Sequence, residues 1–321
     1  MGVQGDLFIT KERITCTHFN NVSMKKTSLH QRFIEISKPL NLLDTGTEPK
    51  LRKLDGVKVL AYDFYGTLFI SGVGDIGVDD GNFDSDILMD VLNDSGVSIE
   101  NKKAGKEAFK LYNIVVEEHM KHLEALGIEY PEPDIRSVWK SVLNRMREKS
   151  LISFSGNDSL YDRISVEFEA RMNPVWPMPD VTETLTYFKQ SGVTQGIISN
   201  SQFYTPIVLE ALTNNSLSEL GFSEGLLHWS FEEQMKKPGL IFYRNYIKKL
   251  TAFDASLTPE NVLYIGNDML KDVYPAREVG MKTALFAGDK RSLKWRRDDE
   301  RCRNIEPDLI ITELSQLKQC V

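Results

Sequence analysis

Cysteine is scarce in this sequence of 321 residues, and long apolar runs are missing. The three cysteines, Cys16, Cys302 and Cys320, have no metal-ligand spacing, so the sequence predicts neither a disulfide framework nor a zinc site. The longest apolar runs, such as 262–265, are far shorter than the ~20 residues that cross a bilayer. The first residues, MGVQGDLF, also lack the apolar stretch of a secretory signal. We therefore expect a cytoplasmic protein without membrane contact.

A strong charge of either sign is absent as well. The net charge is -7, and charged residues make up 26% of the chain, which is ordinary for a globular protein. Because no basic excess exists, we expect no nucleic-acid partner. Chemistry on a small molecule is the better hypothesis, and the sequence does not determine the oligomeric state.

The chain divides into three parts by pattern. Residues 1–54 show little periodicity, and we interpret them as an N-terminal extension. Residues 83–174 predict successive helices over 84–92, 106–126, 135–146 and 160–172, since apolar residues recur there at spacings of three and four. Residues 55–82 and 175–321 instead alternate helices with short apolar strands, over 57–62, 194–199, 262–265, 283–286 and 308–311. This alternation predicts a parallel α/β sheet that carries an inserted helical domain.

Polar residues follow several of these strands, in four clusters. The clusters are YDFYGTLF with Asp63, GIISNSQF with Ser199, KKPGLIFY with Lys237, and LYIGNDMLKDV with Asp268 and Asp272. In open parallel sheets, ligands bind beyond the carboxyl ends of the strands, so these residues should converge on one crevice. Each cluster alone is a weak signal, whereas the ordered set of four is strong.

The order and spacing of these clusters resemble the haloacid dehalogenase-like hydrolase superfamily over about residues 57–312. The resemblance implies a Rossmann-like parallel sheet flanked by helices, with residues 83–174 as the family's cap domain. It implies that Asp63 is the nucleophile and forms a covalent intermediate that water hydrolyses. Gly66 and Thr67 would turn the backbone so that amides face an oxyanion. Ser199 and Asn200 would hydrogen-bond the transferred group, and Lys237 would hold the nucleophile.

The fourth cluster bears on metal binding. In phosphatases of the superfamily, acids there bind Mg²⁺ together with the nucleophile and the backbone carbonyl two residues beyond it, which here belongs to Tyr65. Either Asn267 replaces the first acid or Asp268 is that acid; we favour Asp268, with Asp272 as the second. Three converging carboxylates repel one another unless a cation lies among them, and a hard divalent ion suits oxygen ligands. We therefore predict magnesium as the cofactor.

Tyr65 departs from the phosphatase pattern. Those enzymes carry a second aspartate two residues after the nucleophile, and a tyrosine with a pKa of ~10 cannot act as the base near neutral pH. Asp75, in the following loop, is a candidate replacement. A tyrosine here is typical of the 2-haloacid dehalogenase branch, because halide leaves without a proton. That branch, however, needs no metal and places an arginine early in its cap, and this sequence has no arginine between Arg52 and Arg136.

Three hypotheses follow, in order of preference. The first is a magnesium-dependent phosphatase that acts on a small phosphorylated metabolite. The second is a metal-independent, dehalogenase-like hydrolase of carbon–halogen bonds. The third is a binding or regulatory protein on a weakened catalytic scaffold. The basic segment 289–303 is typical of a solvated surface, although its place after a late strand would also let it lie on the catalytic face and hold an anionic substrate.

Overall fold

The computed structural model describes residues 29–73, 85–155 and 157–321. Its centre is β1, the run VLAY, whose four residues are all buried. Buried apolar residues without alternation are typical of a parallel strand covered on both faces. The helices and strands are α1 (29–36), β1 (Val59–Tyr62), β2 (Phe69–Ser71), α2 (Ser85–Asp94), β3 (Ser98–Ile99), α3 (Ala104–Ala125), α4 (Ile135–Glu148), β4 (Ile152–Ser153), α5 (Asp158–Met172), β5 (Val175–Pro177), α6 (Val181–Gln190), β6 (Thr194–Ser199), α7 (Thr205–Thr213), β7 (Phe222–Trp229), α8 (Ser230–Glu233), α9 (Leu240–Phe253), β8 (Val262–Gly266), α10 (Tyr274–Glu278), β9 (Lys282–Phe286) and β10 (Leu309–Ile311).

The main sheet has six parallel strands in the order β10-β9-β8-β1-β6-β7. In the register, Ala61 of β1 lies between Gly196 of β6 and Tyr264 of β8. The carboxyl ends of β6, β1 and β8 therefore meet at one edge, where Asp63 and Ser199 lie. The predicted α/β class with a parallel sheet and flanking helices is confirmed.

Alternate residues of β1 enter two different cores. Leu60 and Tyr62 pack into the cluster that includes Phe188 and Phe286. Val59 and Ala61 face the opposite cluster, which is built on α9. Because both faces of the sheet are covered by apolar side chains, the sheet is a rigid base for the polar residues at its edge.

Residues 85–172 form a helical unit with a hydrophobic cluster of its own. Trp139 of α4 is fully buried at its centre, 5.1 Å from the ring of Tyr112 and 5.2 Å from the ring of Phe168. Each helix therefore contributes an apolar stripe to a common core. The domain boundaries proposed from the sequence stay predictions.

Helix α1 was not predicted, because its short apolar pattern was assigned to an irregular extension. Phe33 of α1 is fully buried in the core of the sheet domain. Arg32, beside it, forms an ion pair of 2.5 Å with Glu167 of α5 in the helical unit. The extension thus contacts both parts of the protein.

Candidate active site

Asp63 follows β1 directly and is 7% exposed. The chain turns sharply behind it, because the carbonyl of Phe64 accepts hydrogen bonds from the amides of Leu68 and Phe69. Gly66 has a φ of +84°, and a Cβ there would lie 2.7 Å from the Cβ of Ser292. Only glycine fits this turn without displacing its neighbours.

Ser199 ends β6 and donates a hydrogen bond of 2.8 Å from Oγ to Oδ1 of Asp63. The prediction that these residues lie together therefore agrees with the geometry. Asn200 is placed differently: its Oδ1 accepts from the backbone amide of Lys237 at 2.8 Å, and its Nδ2 donates to the carbonyl of Lys237 at 3.3 Å. These contacts position Lys237, and binding of substrate by Asn200 stays a prediction.

Lys237 bridges two carboxylates in the floor of the site. Its Nζ lies 2.8 Å from Oδ1 of Asp63 and 2.6 Å from Oδ1 of Asp272. Burial raises the pKa of Asp272 to about 6; the ammonium opposes this shift, and the charges of Asp63 and Asp268 add to it. Burial alone would lower the pKa of Lys237, but its two carboxylate partners outweigh that effect and raise it. The ammonium is therefore charged at neutral pH.

Asn267 and Asp268 face different surroundings. The amide oxygen of Asn267 accepts a hydrogen bond of 3.1 Å from the hydroxyl of Thr67, so this side chain lies against the loop of the nucleophile. Oδ1 of Asp268 instead accepts from the amides of Leu270 and Lys271, while Oδ2 lies 2.6 Å from a guanidinium nitrogen of Arg296. Thr67, predicted to contact substrate, is fully buried, and binding of substrate by it stays a prediction.

These contacts bear directly on the predicted magnesium site. Both oxygens of Asp268 are engaged, and those of Asp272 are held by Lys237, by the hydroxyl of Tyr264 at 3.0 Å and by the amide of Asp268 at 2.9 Å. Across the ranges that the structure describes, no group of three or more His, Cys, Asp or Glu side chains could hold a metal ion.

A magnesium site that also uses the carbonyl of Tyr65 and water falls outside this count, so magnesium as the cofactor stays a prediction. Lys237 and Arg296 place positive charge beside these carboxylates, so charge repulsion alone does not require a metal cation. Arg296 belongs to the segment 289–303, and Lys294 and Ser292 of this segment line the pocket. The segment thus lies on the catalytic face, as the second interpretation of it required.

Tyr65 is half-buried, and its hydroxyl lies 3.2 Å from Oγ1 of Thr205. Burial first, and then the charges of Glu169 and Asp63, raise the pKa of Tyr65 well above its ordinary value. This residue stays protonated and cannot act as a base. Asp75, the suggested replacement, lies outside the described residues.

A pocket of about 330 Å³ connects these groups to the helical unit. Asp63, Lys237 and Asp272 of the sheet domain line it together with Tyr112, Phe168 and Glu169 of the helical unit. Sequence reasoning missed Glu169, because it stands within a helix whose apolar spacing points to packing alone. Its hydrogen bond of 2.8 Å from the hydroxyl of Tyr204 became visible only in three dimensions.

A family model described as haloacid dehalogenase-like hydrolase matches residues 107–286, more than half of the chain. The chain belongs to this family. The matched stretch contains Ser199, Lys237 and Asp272, while Asp63 lies upstream of it. Haloacid dehalogenase-like hydrolases act on small molecules, so the sequence prediction of a hydrolase with a small-molecule substrate is confirmed at this level.

Solved structures similar to this chain include the following three. A 2-haloacid dehalogenase from Pseudomonas syringae pv. Tomato DC3000 is 18% identical with a TM-score of 0.53, over 82% of this chain and 97% of its own. L-2-haloacid dehalogenase from Xanthobacter autotrophicus is 19% identical, with a TM-score of 0.42 and coverages of 81% and 96%. A predicted phosphoglycolate phosphatase from Haemophilus somnus 129pt is 14% identical, with a TM-score of 0.43 and coverages of 82% and 97%.

The likeness to the Pseudomonas syringae structure shows the fold alone. No curated protein matches the chain. In the described part of the chain, no helix is both long enough and apolar enough to cross a membrane.

Proposed function

We propose that this protein is a metal-independent, dehalogenase-like hydrolase in which Asp63 displaces a leaving group from carbon. The observation that carries the proposal is the engagement of Asp268, the favoured metal ligand, by Arg296 and by the amides of Leu270 and Lys271, which places a guanidinium where a metal was expected. Tyr65 agrees with it, because a halide leaves as an anion and needs no proton from this position.

The orientation of the nucleophile supports attack by one particular oxygen. Oδ1 of Asp63 is fixed by Ser199 and Lys237, whereas Oδ2 has no hydrogen-bond partner among the described residues. Oδ2 would attack carbon, a C–O bond would form, and the C–halogen bond would break with its electron pair leaving on the halide. Water would then attack the acyl carbon of this ester, which releases a hydroxy product and a proton and restores the carboxylate.

The isotopic fate of water tests this step sharply. Multiple turnovers of a 2-chloro acid in ¹⁸O-water should place the heavy oxygen in the side chain of Asp63, because the ester is cleaved at its acyl carbon. Mass spectrometry of the peptide that contains Asp63 measures this, with Asp63→Asn, which should release no chloride, as the control. Chloride release without label in Asp63 would refute the covalent ester.

The second candidate is the magnesium-dependent phosphatase with an anionic, phosphorylated substrate. The observation in its favour is the group of lysines that lines the pocket besides Lys237, namely Lys236, Lys271 and Lys294, which suits a phosphate. Aryl phosphate turnover that requires magnesium and stops with a chelator would favour it over dehalogenation. In that case water attacks phosphorus, so the label would appear in phosphate rather than in Asp63. A folded protein that binds such compounds without turnover would support the regulatory interpretation.

A further inference from the structure

Glu169 is a buried acid on the wall of the pocket that none of these steps uses. It lies on α5, is 7% exposed, and lines the same cavity as Asp63. Its Oε2 accepts the hydrogen bond from Tyr204, and its Oε1 accepts a hydrogen bond of 3.0 Å from Nδ2 of Asn173. The hydroxyl of Ser71 donates in turn to Oδ1 of Asn173 at 2.8 Å, which fixes the amide.

Glu169 differs from its neighbours in having no cation beside it. Glu167, on the same helix, is fully buried but pairs with Arg32 and Arg171. Glu132, also on the pocket wall, lies 3.1 Å from Nζ of Lys236. Among the described residues, no lysine, arginine or histidine pairs with Glu169. A buried carboxylate without a counter-ion is costly, and burial raises the pKa of Glu169 accordingly.

The surroundings of Glu169 are aromatic. Its charge acts on Tyr65, Tyr112 and Tyr204, and all three side chains line the pocket together with Phe168. The charges of Glu169 and Asp63 both act on Tyr65, so this side chain lies near both carboxylates. An acid among aromatic rings is the chemical environment that suits an organic ammonium ion.

We propose that the part of this pocket lined by the helical unit binds an organic ammonium group, with Glu169 as its counter-ion and the surrounding aromatic side chains as its wall. The proposal rests on the proposed function only in taking this pocket as the active site. A substrate would then carry an ammonium group at one end and its reactive centre at the other, next to Asp63.

Binding of choline, measured by titration calorimetry without any turnover, tests the proposal. Its uncharged carbon analogue, dimethylbutanol, has nearly the same shape and lacks the charge. Choline should bind at least about tenfold more tightly, which corresponds to about 1.4 kcal/mol. The affinity of butylammonium compared with that of n-butanol, which has nearly the same length and no charge, tests a smaller cationic group. Equal affinity within both pairs would overturn the proposal.

Two variants separate a binding role from a structural one. Glu169→Gln should lose at least about tenfold in choline affinity and leave dimethylbutanol binding unchanged. Tyr204→Phe removes the hydrogen bond from Tyr204 to Glu169, which joins the sheet domain to the helical unit, but keeps the carboxylate. This variant should therefore retain choline affinity within about threefold. Equal losses in both variants would mean that Glu169 only holds the two parts together.

The wild-type comparison stays decisive if Glu169→Gln does not fold. The test also separates the two proposals, because choline carries no leaving group. Choline binding in a protein that releases no chloride would overturn dehalogenation alone. Chloride release by a protein that does not distinguish choline from dimethylbutanol would overturn only the ammonium site.

Discussion

Replacing Lys237 by methionine tests the central electrostatic argument. The ammonium is 2% exposed at its side chain and holds two buried carboxylates at 2.8 and 2.6 Å. Methionine nearly preserves the volume and removes the charge, which leaves two like charges buried side by side. Breaking a buried pair by removing one partner typically costs about 3–5 kcal/mol, and we expect a loss of this size in the free energy of unfolding near pH 8.

The loss should depend on pH in one direction. Burial raises the pKa of Asp272 to about 6. The contribution of protonated Asp272 to the free energy of unfolding is therefore fully present below the pKa that this residue has in the unfolded chain, and it is lost as the pH rises through about 6. Lys237 opposes the rise, and its removal should move the pKa of Asp272 further up. The variant should therefore be less impaired near pH 5 than near pH 8, because Asp272 takes up a proton there.

Urea unfolding at both pH values, with a chelator present, measures the effect. Lys236→Met is the matched control, since the neighbouring lysine is 32% exposed and pairs with Glu132 at the pocket wall. Its loss should stay below about 1 kcal/mol and vary little with pH. A Lys237→Met protein that loses the same free energy at both pH values, or no more than the control, would refute the reasoning.

Three further predictions concern the loop, the tyrosine and the N-terminal helix. Gly66→Ala should lower turnover at least about 100-fold at nearly unchanged substrate binding, because the added methyl group meets Ser292 and displaces the nucleophile from its reactive position. Stopped-flow assays measure the turnover. Gly46→Ala is the control, since Gly46 also has a positive φ but a Cβ there meets nothing within 4 Å, and an equal loss in it would mean that backbone strain alone explains the effect. Tyr65→Asp should reduce chloride release, since an added negative charge beside Asp63 repels an anionic substrate, while a selective gain on alkyl phosphates would favour the phosphatase. Arg32→Met should lower the free energy of unfolding by about 2 kcal/mol, because the buried Glu167 loses one of its two guanidinium partners and keeps Arg171. Urea unfolding against the exposed Arg52→Met measures this, and an equal effect of both variants would contradict the role of the buried pair.

The sequence predicted the strands that carry the site, because buried parallel strands are continuous apolar runs with an abrupt polar end. β6 matches its predicted bounds of 194–199, and Asp63 follows β1 as expected. β7 was missed, since this edge strand has two consecutive exposed residues, Glu224 and Gly225, in its middle and lacks the apolar run of the others.

The direction of individual side chains at the site was beyond sequence reasoning. Asn267 and Asp268 are neighbours in the chain, and only the backbone after β8 decides that Asn267 faces Thr67 while Asp268 faces Arg296. Arg296 itself lies 28 residues beyond Asp268, in a segment with no regular periodicity. Glu169 was hidden for a related reason, because an acid on a helix carries no sign of the pocket that it meets after packing.

The placement of α1 has a consequence for how the protein is handled and compared. The family match begins at residue 107, and a shortened form that kept the sheet domain from residue 55 onward would still omit α1. Such a form would lose Phe33 from the hydrophobic core and would leave Glu167 with Arg171 as its only recorded guanidinium partner. Activity measured on this form would describe a molecule in which α1 no longer links the sheet domain to the helical unit. Kinetic studies therefore need a chain that includes α1.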